Sequence, residues 1–201
     1  MTDLYKTIQT SSEGIYKEKG SKFLSFAYRV NSEEAIKQHL TTLKKEYHDA
    51  RHHCYAWRLE PEKTRYRVND DGEPSGSAGR PIYGQIVSRE LTDLLLVVVR
   101  YFGGTLLGVG GLINAYRSAA SDALDRTSII ECRVYDRLRL EFGYDRMNAV
   151  MKVIKDFQLD FEEQKFDMDC SLTLKSWRRQ TERVLDSFSK ITACKISVIE
   201  E

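Results

Sequence analysis

The sequence predicts an α+β fold in two successive domains, and two observations carry that prediction. An apolar run, a glycine-rich turn and a helical pattern follow one another over residues 94–120, as in a buried strand that leads into a helix. Beyond residue 131, apolar residues recur at every second position and then at helical spacing, twice over. With 201 residues, the chain is long enough for each part to bury its own core.

The first fifty residues predict two strands and a helix. Residues 4–16 and 22–30 have strand-like composition, and Gly14 and Gly20 are predicted to mark turns. Asn31 and Glu34 have the spacing of a capping box, so a helix is expected to begin there. The apolar face of this helix would consist of Ile36, Leu40, Leu43 and Tyr47.

A strand pair and a long loop are predicted next. His52–Leu59 is expected to form a strand, with residues 65–68 as a shorter partner. Residues 69–80, NDDGEPSGSAGR, consist almost entirely of turn-forming residue types and are named here the 69–80 loop. Pro81 suits the first turn of a short helix that would extend to about Glu90.

The apolar run at residues 94–99 contains only Leu and Val, which is typical of a strand covered on both faces. Five of the chain's twelve glycines follow it, and a helix with one apolar stripe is predicted over residues 110–126. Glycines near a helix start favour either a bound phosphate or close packing of the helix on the sheet. Both interpretations stay open, since the pattern matches no established nucleotide-binding motif.

A domain boundary is predicted between Arg126 and Arg133. The C-terminal part, residues 132–201, then reads strand, helix, a short strand near residues 159–163, strand, helix and strand. The second helix is expected to include Trp177. This βαββαβ order predicts a ferredoxin-like domain, a fold that by itself says little about function.

The composition argues against a membrane partner and against a general electrostatic attraction to anionic partners. The net charge is +1 and neither half is basic, so an anionic partner would have to meet a local patch. The four cysteines are scattered without a C-x-x-C pair and no secretory leader is evident, which predicts reduced thiols and a cytoplasmic location. No apolar run approaches the roughly 18 residues of a membrane span, so no membrane partner is expected.

The 69–80 loop is the first candidate site. Its acidic residues suit a hard cation such as magnesium, whereas its Ser and Gly residues suit an anion held by backbone amides. The alternative is a solvated turn, because the same residue types form turns and the order of a calcium loop is absent. The candidate binding residues in this loop are Asp70, Asp71, Glu73, Ser75, Ser77 and Arg80.

Three of the four histidines form a second candidate with Cys54. His48 and His52 would lie one turn apart on a helix and could share a metal ion. His53 and Cys54 would point to opposite faces of a strand, which argues against a compact metal site. We therefore expect His52 or His53 to bind an anion or to cap the neighbouring loop, and we predict neither a metal nor a cofactor.

The third candidate lies at the end of the apolar strand. Arg100 offers a fork of hydrogen-bond donors, and Tyr101 and Phe102 offer stacking faces for bases or for a protein partner. Gly103 and Gly104 would let a ligand approach the backbone. The alternative is that these aromatic residues only cover the end of the sheet.

Taken together, three segments resemble the IMPACT family, in particular its YigZ-like members. They are HHCYAW at residues 52–57, NDDGEPSGSAGRPI at residues 69–82 and VVVRYFGGTLLGVGGLINAYRSAA at residues 97–120. The resemblance covers most of residues 1–131. It implies an N-terminal domain like domain 2 of ribosomal protein S5, and a C-terminal ferredoxin-like domain comparable to the last domain of elongation factor G.

The leading hypothesis is a cytoplasmic, non-enzymatic protein that binds RNA or the ribosome and modulates translation. The three candidate segments would then form one surface, and RNA is expected rather than DNA. A second hypothesis is an enzyme acting on a phosphorylated small molecule or nucleotide, with the glycine-rich turn holding phosphate and the acidic loop holding magnesium or supplying a base. A third is a protein-interaction module with Tyr101 and Phe102 as anchors.

Overall fold

A computed structural model describes residues 2–199 of the chain. It divides into two compact units. The N-terminal unit is Leu4–Cys132, and the C-terminal unit comprises residues 133–199 together with residues 2–3. The chain is therefore a mixed α/β protein in two parts, each with a core of its own.

The N-terminal unit is built on a five-stranded antiparallel sheet with strand order β2-β3-β6-β4-β5. A second, two-stranded sheet pairs β1 with β7, the strand that lies where the sequence predicted only a boundary. The strands are β1 (Leu4–Ile8), β2 (Ser12–Glu18), β3 (Ser21–Arg29), β4 (His52–Leu59), β5 (Arg65–Asn69), β6 (Leu94–Tyr101) and β7 (Ile129–Arg133).

Three helices cover the two faces of this sheet. Helix α1 (Glu33–Glu46) packs on one face, and α2 (Gly79–Ser88) and α3 (Gly108–Asp125) pack on the other. Along the central strand β6, Leu94, Leu96 and Val98 face α2 and α3, whereas Leu95, Val97 and Val99 face α1. The prediction of a strand covered on both faces is confirmed.

Local details near the N-terminus differ from the sequence prediction. Gly14 lies inside β2 rather than at a turn. A β-carbon at this position would come 2.5 Å from the backbone nitrogen of Ala123, so no larger residue fits. The glycine therefore permits close approach of α3. Ser32 rather than Asn31 caps α1, since its hydroxyl accepts a hydrogen bond from the backbone N–H of Ala35.

The helices on the other face also begin earlier than predicted. Helix α2 begins at Gly79 inside the predicted loop, and α3 begins at Gly108 rather than at residue 110. Strand β6 extends beyond its apolar run through Arg100 to Tyr101. This extension places Arg100 inside the sheet and not in the turn that follows it.

The C-terminal unit has the order βαββαβ and an antiparallel sheet ordered β11-β8-β10-β9. Both helices pack on one sheet face, over a core that includes Leu138, Leu140, Leu172 and Leu174. Trp177 ends a strand and does not join the second helix as predicted. The elements are β8 (Tyr135–Gly143), α4 (Met147–Phe157), β9 (Asp160–Lys165), β10 (Asp169–Trp177), α5 (Thr181–Ser189) and β11 (Cys194–Ile199).

None of the helices within residues 2–199 is both long and apolar enough to cross a membrane.

Candidate functional site

A buried ion pair joins two of the candidate segments. His52 on β4 and Arg100 on β6 are cross-strand neighbours, and both side chains lie on the sheet face that carries α3. Glu73 reaches this position from the 69–80 loop, and Arg100 Nη1 donates to its Oε1 over 2.6 Å. The exposed fraction is 7% for the Arg100 side chain and 4% for that of Glu73. The pair therefore lies almost wholly out of water.

A tyrosine and a cysteine extend this network into the core. The hydroxyl of Tyr116 donates to Glu73 Oε1 over 2.8 Å, and Cys54 Sγ lies 3.3 Å from the same hydroxyl. Burial raises the pKa of Cys54 and of Tyr116, so both groups keep their protons at neutral pH. Cys54 is thus held as a neutral thiol, and a buried protonated thiol is a poor nucleophile.

Asp70 holds the 69–80 loop against the start of α2. Its carboxylate accepts hydrogen bonds from the backbone N–H groups of Gly76 at 2.8 Å, Ala78 at 3.0 Å and Gly79 at 2.8 Å. Burial acts to raise the pKa of Asp70, but these three donors prevail and lower it below its usual value. Asp70 therefore acts as a distant cap for a helix that has no side-chain cap at Ala78.

Replacing Asp70 by asparagine is expected to lower the free energy of unfolding at neutral pH by about 1–2 kcal/mol. An amide group would turn its own N–H₂ toward one of the three N–H donors. Because the folded-state pKa is lowered, this stabilisation is present above the unfolded pKa near 4 and is lost as pH falls through the folded value. Urea unfolding should show a larger difference in stability between wild type and Asp70→Asn at pH 7 than at pH 3. An equal difference at both pH values would contradict the assignment.

The other acidic residues of the loop are also engaged. Asp71 Oδ2 accepts from the backbone N–H of His53 over 2.7 Å, and Glu73 is bound to Arg100 and Tyr116. Within residues 2–199, no group of three or more His, Cys, Asp or Glu side chains is arranged to hold a metal ion. The acids of the loop thus bind the protein's own donors and do not converge on an empty space.

His52 and His53 lie on opposite faces of the sheet. His52 Nδ1 donates to the carbonyl oxygen of Asp71 over 2.8 Å, and its Nε2 lies 3.9 Å from Glu73 Oε1. His53 lies on the α1 side, where its Nε2 donates to the carbonyl of Tyr47 over 3.1 Å. Burial lowers the pKa of His53 and favours its neutral form. His48 follows the end of α1 and His52 lies on β4, so these two histidines do not share a helix.

A pocket of about 320 Å³ opens beside the buried ion pair. Its floor is polar and consists of His52, Glu73 and Arg100, with Arg51 at the edge. Arg100 Nε, although buried, has no hydrogen-bond partner among the described residues. The wall is apolar and is formed by Phe102, Leu106, Leu107, Val109 and Leu112.

The rim of this pocket is unusually apolar for a surface. Leu106 is 83% exposed, Val109 is 53% exposed and Phe102 is 44% exposed. The Arg100 guanidinium lies between two rings, 5.5 Å from the centroid of Phe23 and 5.7 Å from that of Phe102. The pocket therefore combines polar side chains at its base with apolar surface at its mouth, which suits a flat ligand with a polar edge.

The glycine turn between β6 and α3 is shaped by the backbone itself. Gly103 lies directly against Gly20, and its N–H donates to Ser21 Oγ over 3.1 Å. This N–H is therefore not available to an anion. Gly104 has φ of +86°, which favours glycine.

The structure thus brings members of all three candidate segments together but does not place them on one surface. Strand alternation sends His52 and Arg100 to the α3 side and His53 and Tyr101 to the α1 side. Tyr101 donates to Asp49 there, and this hydrogen bond raises its pKa to about 12. The predicted residues that are exposed are Ser75, Arg80, Phe102, Gly103 and Gly104; those that are buried are His53, Glu73, Ser77 and Arg100.

Sequence reasoning missed Arg51, Leu106, Val109 and Tyr116 as site residues. Leu106 and Val109 carried a signal, since large apolar residues between glycines of a turn have no obvious core to fill. Tyr116 carried none, because it belongs to the apolar stripe of α3 and its hydroxyl contact appears only in the folded chain.

Comparison with known proteins gives concordant similarities. The family profile of the Impact N-terminal domain matches residues 19–124. The IMPACT family member YvyE of Bacillus subtilis is 27% identical over 200 residues, spanning 100% of this chain and 92% of that protein. The IMPACT family member YigZ of Escherichia coli is 39% identical over 134 residues, or 66% of each protein.

A solved structure described as that of a hypothetical protein shares the fold. It aligns over 100% of both chains with a TM-score of 0.78 and 23% sequence identity.

Proposed function

The chain belongs to the IMPACT family as a YigZ-like member, and from that premise we propose that it binds RNA of the translation apparatus and modulates translation without catalysing a reaction. The N-terminal pocket would receive one unstacked base. The proposal also includes the finer fold assignments, a domain like domain 2 of ribosomal protein S5 followed by a ferredoxin-like domain. The βαββαβ order and the strand order β11-β8-β10-β9 support the second assignment.

The observation that carries the proposal is the pocket with a polar floor and an exposed apolar rim. Sequence-specific RNA recognition mostly uses unstacked bases, which stack on aromatic or guanidinium planes and form hydrogen bonds through their edges. Phe102 supplies an aromatic face at the rim, and the polar residues His52 and Arg100 line the floor. A pocket of about 320 Å³ has the size expected for a small ring system.

Exposed cations of the N-terminal unit support contact with phosphates. Arg51 lines the pocket edge, and Lys22 and Arg80 are exposed on the same unit. RNA affinity is therefore expected to fall with rising salt, because each phosphate contact releases counterions. Arg100 itself is unsuited to phosphate contact, since Glu73 neutralises it in the interior.

The double variant Leu106→Ser/Val109→Ser is expected to weaken RNA binding about tenfold, because it removes most of the exposed apolar surface at the mouth of the pocket. Both side chains are more than half exposed, so the fold should persist. Fluorescence anisotropy with a labelled mixed-sequence 12-nucleotide single-stranded RNA measures the effect.

Val87→Ser is the matched control, because Val87 is 43% exposed on α2 and does not line the pocket. Thermal unfolding of each variant verifies the fold. Equal RNA affinities of the pocket variant and the control, or no RNA binding by wild type at low salt, would refute the proposed use of this pocket.

A further inference from the structure

We propose that the C-terminal unit carries a second binding site, which holds single-stranded RNA at the Trp177 cluster. This cluster is defined as Arg133, Tyr135, Lys175, Trp177 and Arg179. The choice of RNA as the ligand rests on the proposed function, but the site lies in a different unit from the pocket and is built from different residues.

The cluster lies at one end of the C-terminal sheet, on the face opposite the two helices. Trp177 on β10 and Tyr135 on β8 are directly opposed in the strand ladder. Their neighbours Ser176 and Val134 are buried, so alternation turns both aromatic rings to the other face. Arg133, Tyr135, Lys175 and Trp177 border a depression of about 500 Å³, which extends to Phe157 at the end of α4 and to Gln180.

Two guanidinium groups are stacked on the indole of Trp177. The Arg133 guanidinium carbon lies 4.8 Å from the ring centroid and that of Arg179 lies 5.6 Å from it. Trp177 Nε1 donates to the carbonyl oxygen of Asp3 over 3.3 Å, which fixes the ring. The two arginines are therefore oriented by a fixed aromatic plane rather than by carboxylates.

The positive charge of these arginines is not paired with any carboxylate of residues 2–199. Among residues 2–199, neither Arg133 nor Arg179 has a carboxylate within ion-pair distance, and the same is true of Arg183, which lies over the Phe157 ring at 5.8 Å. Elsewhere in the same unit, Arg139 and Arg146 do form such pairs. One carboxylate, that of Asp160, borders the depression, and Lys175 lies 3.7 Å from Glu162. Among the residues that the structure describes, the cluster is thus a positive patch, on a protein with a net charge of +1.

This combination of groups fits a single-stranded nucleic acid. Arginine presents a planar fork of donors that matches phosphate oxygens, and a guanidinium held on an aromatic ring loses little freedom on binding. Tyr135 is 44% exposed and offers a face on which a base can stack. An acidic protein segment would use the charges but not the stacking face, which is why RNA is the better match.

The fluorescence of Trp177 also provides a direct signal of RNA binding at the cluster. The chain has two tryptophans, and Trp57 is buried in the N-terminal unit with 7% exposure. In the full-length Trp57→Phe protein, Trp177 is the only tryptophan, so its fluorescence reports directly on the cluster. We expect a 12-nucleotide oligouridylate to quench this emission in a saturable manner.

The double variant Arg133→Ala/Arg179→Ala is expected to reduce RNA affinity about 10- to 30-fold at 0.1 M salt, since each lost phosphate contact on a single strand contributes about 0.7 to the salt slope. The slope of log K against log salt should fall by about 1.4. Lys152→Ala/Lys190→Ala removes the same number of positive charges from exposed positions and serves as the control; Lys152 lies on α4, and Lys190 directly follows α5 and pairs with Asp186.

The outcomes separate this inference from the proposed function. Quenching that persists in Leu106→Ser/Val109→Ser and disappears in Arg133→Ala/Arg179→Ala supports the second site whether or not the pocket binds RNA. Equal affinity and equal salt slope for the arginine variant and its lysine control would overturn it. Equal quenching by an oligoglutamate peptide of matched charge would also overturn it, in favour of an acidic protein partner.

Discussion

Replacement of Glu73 by alanine is expected to lower the free energy of unfolding by about 3–5 kcal/mol. The substitution would leave the Arg100 guanidinium buried without its counter-charge, and Tyr116 would lose its hydrogen-bond acceptor. Removal of one partner from a buried ion pair is costly because the remaining charge cannot recover its hydration. The 69–80 loop would also lose its attachment to β6.

Urea unfolding followed by circular dichroism measures this loss. Glu90→Ala is the control, because Glu90 forms an exposed ion pair with Lys6 in the same unit, and it should change stability little. The double variant Glu73→Met/Arg100→Met should recover much of the stability, since it removes both charges and keeps the volume. A Glu73→Ala protein as stable as the control would show that the pair is not buried as described.

Gly103→Ala and Gly110→Ala are expected to change stability in opposite directions. A β-carbon at Gly103 would lie 1.9 Å from the carbonyl carbon of Gly20 and 2.1 Å from the backbone nitrogen of Ser21. Backbone atoms cannot move aside as a side chain does, so the expected loss is about 3 kcal/mol. The strand end that carries Arg100 and Phe102 would be displaced as well.

Gly110 shows the contrasting case within the same glycine-rich segment. A β-carbon there meets nothing within 4 Å, and the residue already lies in the first turn of α3. Alanine should therefore stabilise the chain by up to about 1 kcal/mol through reduced freedom of the unfolded state. Thermal unfolding of the two variants beside wild type provides the comparison. A Gly103→Ala protein with wild-type stability would contradict the close approach of the two backbones.

The glycines that follow β6 differ in their surroundings. The sequence left open whether they hold phosphate or permit close packing. Gly103 and Gly14 are packed against neighbouring backbone, whereas Gly104, Gly108 and Gly110 meet nothing within 4 Å. The same motif therefore serves packing at its start and leaves the backbone open beside the pocket.

The acidic residues of the 69–80 loop bind separate parts of the folded protein. Considered as a sequence, Asp70, Asp71 and Glu73 fitted either a cation site or a solvated turn, since three carboxylates lie within four positions. In the folded chain they point in different directions, and each accepts hydrogen bonds from a different part of the protein. Neighbours along a loop need not converge, because each φ/ψ pair can redirect the next side chain.

Much of the fold was contained in local patterns of the sequence. The apolar run of β6, the stripe of α3 and the βαββαβ order of the C-terminal unit were all predicted, because burial imposes a period of two on half-covered strands and 3.6 on helices. The first residues of the helices were harder to predict from the sequence. Helix α2 is capped by Asp70, nine residues before Gly79, and no local capping rule includes such a distant partner.

The candidate site, like the fold, was predictable from the sequence only in part. By itself, the sequence determined that the chain belongs to the IMPACT family, since the three segments carry unusual residue types in long motifs. Only the tertiary structure decided that Arg100 is buried against Glu73, that His52 and His53 face opposite sides of the sheet, and that Leu106 and Val109 border a pocket. The physical reason is that burial and pairing depend on contacts between residues far apart in the chain, and local periodicity carries no information about them.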